Sequence, residues 1–184
     1  ANLYCSWQRH QAFDVHFDTH DVFAMQIEGE KMWRIYQRHI ENPINHPAFK
    51  LLKQSYHNEH KGELLMEFTM RPGDLVYIPR GYYHEAMAAS HGTVHLTFSV
   101  VNILGLDALT VLWEHAVMDE VFREGLPHPD ARDGKALEEY LMRMAGRVRE
   151  SLRDPKFRAK LDPLIRDFRY PSDHIKLPDD AGES

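Results

Sequence analysis

The 184 residues, 43% of them hydrophobic, suffice for one core with an appendage but not comfortably for two independent cores. The formal charge of -6 comes from 22 basic and 28 acidic residues spread along the chain, so no basic tract proposes nucleic acid as a direct partner, and a basic substrate suits it better. The single cysteine, Cys5, excludes an internal disulfide, and with neither a cationic apolar leader nor an apolar stretch of about 18 residues the expectation is a cytoplasmic protein with no membrane partner.

Up to Val100 the chain reads as short runs rich in β-branched and aromatic residues, cut by Gly, Pro, Asp and Asn, which is the habit of antiparallel sheet. Eight strands are predicted, at residues 2–7, 13–18, 22–28, 31–37, 64–70, 75–79, 84–89 and 93–101. Gly29 and the Arg71-Pro72-Gly73-Asp74 sequence supply turns. Eight short strands with tight turns predict a mainly β fold, a barrel or jelly roll. Residues 38–62 break the pattern as a polar insertion with Pro43 and Pro47 and a short helix expected near residues 48–54. From its position and polarity the insertion is expected, with the mouth around His20, to line the route to the site.

After Asn102 the period changes. Leu106, Leu109, Leu112, Trp113, Ala116, Val117 and Val121 fall three and four apart, and Leu137, Leu141, Met144, Val148 and Leu152 repeat the spacing. Two amphipathic helices follow, then a shorter one at residues 155–168. The chain thus divides into a β core at 1–102, a helical segment at 103–170 and a polar tail at 171–184. The two apolar stripes exceed what one barrel face needs, so they either pair two chains as a homodimer or cap the barrel.

The chemistry sits in two segments. In Asp14-Val15-His16-Phe17-Asp18-Thr19-His20, strand alternation puts His16 and Asp18 on one face and Phe17 outward. In Val76-Tyr77-Ile78-Pro79-Arg80-Gly81-Tyr82-Tyr83-His84, a Pro-Gly turn delivers His84 to the start of a strand. Two histidines and a carboxylate on one side of a metal leave three open positions, the facial arrangement of iron(II) oxygenases. His20 shares the face but lies past the expected strand end, and His95 reads as a buried hydrogen-bonding group. Of the 13 histidines, His39, His46, His57, His60, His128 and His174 lie in polar segments and are expected to be exposed.

The run from His16 to Tyr36, together with Pro72-Gly73-Asp74-Leu75-Val76-Tyr77-Ile78-Pro79-Arg80-Gly81-Tyr82-Tyr83-His84, resembles the JmjC oxygenases, especially their bacterial cupin-like and ribosomal-oxygenase branch. The resemblance covers residues 2–101 and implies a double-stranded β-helix, the jelly roll of cupins, with iron(II) held by His16, Asp18 and His84. It implies 2-oxoglutarate as co-substrate and dioxygen as oxidant, with succinate and a hydroxylated protein side chain as products. In that family a basic residue fifteen positions after the first ligand binds the far carboxylate of 2-oxoglutarate, and here it is Lys31. Physically, a long side chain carrying a point charge can reach into a barrel and pair with a dicarboxylate. The resemblance also implies co-substrate hydrogen bonds from Tyr4 and Ser99, and dimerisation by the helices. Relatives carry further strands and helices ahead of the first barrel strand and often a winged-helix domain, neither of which lies within these residues. The sequence leaves open a free amino acid or small metabolite as substrate, and a silent cupin binding module, although a module has no physical need for three convergent ligands and a placed lysine.

Overall fold

In the computed structural model, residues 1–7, 11–132 and 134–167 are described, the side chains of residues 11–13 excepted. The backbone separates into two compact units, Ala1–Asn102 and the residues from Ile103 onward. The first holds β1 (Asn2–Trp7), β2 (Gln11–His16), β3 (Asp21–Glu28), β4 (Lys31–His39), α1 (Pro47–Lys50), α2 (Gln54–His60), β5 (Leu64–Met70), β6 (Leu75–Ile78), β7 (Tyr82–Ala88) and β8 (Gly92–Val100).

These strands form two four-stranded antiparallel sheets, ordered β1-β8-β3-β6 and β2-β7-β4-β5. The order is that of a jelly roll, the expected fold, laid out as two facing sheets and not as a closed barrel. Their inner faces share one apolar cluster: Val22, Ala24 and Ile78 from the first sheet, and Trp33, Ile35, Met70 and Ala86 from the second. Strand period two accounts for this, because Val22 and Ala24 on β3, like Trp33 and Ile35 on β4, are alternate residues pointing the same way.

β2 starts earlier than its residue pattern indicates and stops at His16, so Asp18 lies beyond the sheet rather than on a strand. Its ladder with β7 also slips: Phe13 opposes Ala86 and His16 opposes His84, so three steps on β2 match two on β7. This is a β-bulge, which re-aims the side chains that follow it.

The insertion holds two short helices instead of one. Pro47 occupies the first helical position of α1, where its missing N–H costs nothing, and the His46 ring accepts from the Ala48 N–H at 3.2 Å. Lys53, in an extended conformation, then restarts the chain as α2. Ile40, Phe49 and Leu52 pack on a second apolar cluster of Val15, Phe17, Tyr36 and Tyr83, and the Gln54 amide donates to the Val15 carbonyl at 2.8 Å. Phe17 does pack away from the inner face, in this second cluster, but the insertion covers it. His57 is half-buried there, with its ring 5.4 Å from that of Phe17, and His60 stacks on Tyr56 at 3.8 Å, so these two are not the exposed histidines that a polar segment implied. His174 lies outside the described residues.

The turn between β6 and β7 depends on Gly81. Its φ is +89°, and a Cβ there would be driven into the backbone carbonyl oxygen of Ile40, just past β4. Gly73 has a similar φ of +95° but open space around the added atom. Gly81→Ala should therefore destabilise the β unit well beyond the ~1 kcal/mol of dihedral strain that Gly73→Ala incurs. Urea unfolding of the two variants measures the difference, and equal losses would contradict it.

The second unit comprises α3 (Gly105–Ala116), a 3-10 turn (Glu120–Arg123), α4 (Lys135–Arg153) and α5 (Pro155–Asp167). Asp107 accepts from the Leu104 N–H at 2.7 Å to start α3, and Asp154 accepts from the Lys156 N–H at 2.8 Å to start α5. Leu112, Ala116, Tyr140 and Phe157 are buried among these helices, and the Tyr140 hydroxyl donates to the Val121 carbonyl at 2.8 Å. Among the described residues no helix is long and apolar enough to cross a membrane.

Candidate metal centre and its cavity

His16 on β2 and His84 on β7 stand directly opposite each other in the second sheet, with ring centroids 4.4 Å apart. Asp18 joins them from the segment after β2, with an Oδ2 3.4 Å from His84 Nε2. One ligand atom from each of the three lies within 4.8 Å of the others, the one such histidine, cysteine or carboxylate group among the described residues. Adjacent ligands on an octahedral first-row metal, at ~2.1 Å each, stand ~3 Å apart. The trio therefore fits a divalent cation with small side-chain adjustments.

Backbone contacts set the ring orientations. His16 Nδ1 bonds the Asp14 carbonyl at 2.8 Å and His84 Nδ1 bonds the Tyr82 carbonyl at 2.9 Å. A carbonyl only accepts, so in both rings Nδ1 carries a proton and Nε2 is the nitrogen that could ligate a metal. Burial, reinforced by the neighbouring His84, lowers the His16 pKa and keeps that ring neutral. For Asp18, burial alone would raise the carboxyl, but the hydrogen bond and charge of His84, with His16 and His20 beyond it, outweigh burial and hold it below its ordinary range. The set is two imidazoles and one carboxylate.

The trio opens into a cavity of about 240 Å³ between the two sheets. Lys31, at the start of β4, is 1% exposed and lines the same cavity. Four residues along β4 separate it from Ile35, which stands level with His84; that is about 13 Å of strand. Its Nζ lies 3.4 Å from Ser6 Oγ and 3.1 Å from His95 Nδ1. Burial lowers the Lys31 pKa to about 8, while burial and then the lysine's charge push His95 down to about 4. His95 is thus neutral and accepts through Nδ1. Among the described residues no carboxylate pairs with Lys31, so a buried cation faces the cavity without a counter-ion.

Tyr4 and Ser99 line the cavity, and Tyr4 stacks on the His95 ring at 4.9 Å. His20 also lines it but is not in the convergent trio. Sequence reasoning missed Trp33, which packs face-on to the His84 ring at 6.1 Å and edge-on to His95 at 5.8 Å. Its signal was available: as a tryptophan two positions after Lys31 it shares the inward parity. Nothing described in the insertion borders the cavity, contrary to the expected role for residues 38–62.

A jelly roll with two histidines, a carboxylate and an unpaired buried lysine converging on one cavity defines a metal-dependent member of the cupin class. Residues 1–104 match the model of the JmjC domain, and the chain belongs to that family. It is 32% identical over 150 residues to human ribosomal oxygenase 1, covering 72% of this chain and 23% of the relative. To the bifunctional lysine-specific demethylase and histidyl-hydroxylase NO66 of Dictyostelium discoideum it is 34% identical over 137 residues, covering 69% of this chain and 26% of the relative. The chain therefore spans about a quarter of the length of these curated relatives. In fold it is similar to YcfD, a ribosomal oxygenase from Escherichia coli, with a TM-score of 0.55 and 18% identity over 84% of this chain and 38% of that one. The YcfD structure in complex with cobalt and 2-oxoglutarate aligns with a TM-score of 0.51, again at 18% identity, over 79% of this chain and 36% of that one.

Proposed function

We propose that this chain is an iron(II)- and 2-oxoglutarate-dependent oxygenase that hydroxylates a protein side chain. The observation that carries the reading is the pairing, in one cavity, of a three-ligand metal centre with Lys31, a buried cation that no carboxylate among the described residues neutralises. A site with a metal at one end and a lone cation at the other matches a dicarboxylate that chelates the first and pairs with the second. Iron(II) held there supplies the activation of dioxygen, with 2-oxoglutarate split to succinate and carbon dioxide as the substrate gains one oxygen atom.

In this reading His16 and His84 would hold the metal through Nε2 and Asp18 through a carboxylate oxygen. Lys31 anchors the far carboxylate, with Tyr4 and Ser99 adding hydroxyl hydrogen bonds, and His95 stays neutral so that it does not compete as a second charge. His20 stands at the mouth. A protein side chain is favoured over a free metabolite by relatives at 32–34% identity that are named ribosomal oxygenase and histidyl-hydroxylase. The test incubates purified protein with iron(II), 2-oxoglutarate, oxygen and candidate ribosomal peptides, and follows succinate together with a gain of about 16 Da on the peptide. Peptide-dependent succinate with a matching mass gain is expected, and no succinate under any condition would reject the reading.

We propose too that the helical unit joins two chains. Leu106, Leu109, Trp113 and Val117 repeat at helical spacing along α3 and its end, and all four are exposed. Light scattering at micromolar concentration should give a dimer that Leu109→Asp with Trp113→Asp converts to monomer. A native monomer would overturn it.

A further inference from the structure

We infer that Asp21 is a positioning residue for the metal centre, tying the segment that carries Asp18 to the turn that leads into His84. The inference rests on reading His16, Asp18 and His84 as that centre.

Once β2 ends at His16, residues 17–20 have left the ladder. Asp18 is nonetheless a member of a set that must keep its atoms within a few ångströms. Two bonds, both to one turn, do the holding. The Gly81 N–H donates to the Asp18 carbonyl at 2.8 Å, and the Arg80 N–H donates to Asp21 Oδ1 at 2.9 Å. Successive amides of one turn thus grip the Asp18 segment at two points three residues apart. The same turn continues through Tyr82, whose carbonyl fixes the His84 ring. Displacing it would disturb Asp18 and His84 together.

Asp21 is itself held on its other oxygen. Asn102, just past β8, donates its amide to Asp21 Oδ2 at 3.0 Å, and the Tyr77 hydroxyl bonds the same carboxylate. Arg80 is braced independently by its guanidinium, which donates to Asn42 Oδ1 at 2.8 Å. One carboxylate therefore joins the loop after the first two ligands, the turn before the third, and the end of β8. Burial alone would raise this carboxyl, yet the Arg80 amide, the Asn102 amide and the Tyr77 hydroxyl together hold it below its ordinary range, so the knot is ionised at neutral pH. Groups that orient metal ligands without touching the metal typically contribute 10–100-fold in affinity.

The test compares native protein with Asp21→Ala, Asp21→Asn and Asn102→Ala, using manganese(II) as probe for affinity and cobalt(II) for its visible ligand-field bands. Circular dichroism and thermal unfolding of the apoproteins run in parallel. Asp21→Ala should weaken manganese binding by roughly 10-fold or more and shift the cobalt bands while the apoprotein stays folded. Asp21→Asn keeps an acceptor for the Arg80 N–H and should fall between native and Ala. Asn102→Ala, which removes only one of the carboxylate's donors, should be milder still. If Asp21→Ala does not fold, the other two variants decide. Manganese affinities within twofold of native and unchanged cobalt bands in the folded variants would overturn the positioning role alone. Failure of the native chain to bind either metal would overturn the metal-centre reading itself, and the positioning role with it.

Discussion

His84→Ala and Asp18→Ala should each abolish stoichiometric binding of iron(II) or manganese(II) under conditions where the native chain takes up one ion. Three protein ligands would leave a six-coordinate metal room for co-substrate and oxygen, so each of the three bears a large share of the affinity. Losing a mere supporting group costs roughly 10–100-fold, and losing a ligand should exceed that. The environments differ in a way that bears on the comparison. His84 is nearly enclosed at 5% side-chain exposure, and truncating it leaves a void beside Trp33, whereas Asp18 at 29% exposure can be replaced with little repacking. Asp18→Ala should therefore lose the metal and keep its unfolding temperature, while His84→Ala should lose some of both. His20→Ala serves as control, since His20 lines the cavity outside the trio and its removal should leave stoichiometry at one. Metal analysis after dialysis decides it, and full occupancy in either ligand variant would remove the assignment.

Much of this site was legible before the fold, because its residues obey the strand period. Val22, Lys31, Trp33, His84, Ala86, His95, Thr97 and Ser99 all lie at inward parity on their strands and all border the cavity. Parity could not show the place of Asp18. Alternation put it on a strand with His16, while the chain leaves the sheet at His16 and a bulge between Phe13 and His16 resets the phase. A bulge is one extra residue accommodated by long-range pairing with β7, so nothing within residues 11–20 announces it. The insertion shows the opposite failure. Its polar composition suggested a mouth, but three scattered apolar residues, Ile40, Phe49 and Leu52, were enough to fold it against Phe17 and Tyr83 on the back of the ligand strands. Periodicity has no purchase on helices of four and seven residues. The unpaired state of Lys31 was likewise invisible, because the sequence gives no account of which carboxylates a fold brings near a buried lysine.

Lys31→Ala should lose 2-oxoglutarate binding while keeping the metal. Truncating one partner of a buried charge pair costs ~2–5 kcal/mol, which raises Kd roughly 30-fold to several thousandfold. Lys31→Arg should retain part of the affinity, since guanidinium also meets a carboxylate but with a wider, planar head in a cavity of about 240 Å³. Proton linkage supplies a second, independent signature. The apoprotein's Lys31 has its pKa lowered to about 8 by burial, against an unfolded value of 10.5. Below about pH 8 the ammonium is present and affinity for the dianion should be level; above it, binding must first restore the proton, so affinity should fall as pH rises. Apoprotein stability should move the other way. Between about pH 8 and 10.5 the unfolded chain holds the Lys31 proton and the folded chain does not, so unfolding binds protons and this group makes the fold more stable as pH rises. Lys31→Met, carrying no proton at either end, isolates both effects by difference: the native-minus-variant stability should climb through that window, and the fall of affinity with pH should vanish along with most of the affinity. Isothermal titration of 2-oxoglutarate into manganese-loaded protein without oxygen, at pH 7 and 9, measures the first, and urea unfolding of apoprotein over the same range measures the second. An affinity for 2-oxoglutarate that Lys31→Ala leaves unchanged would place the anchor elsewhere and remove the observation on which the oxygenase reading stands.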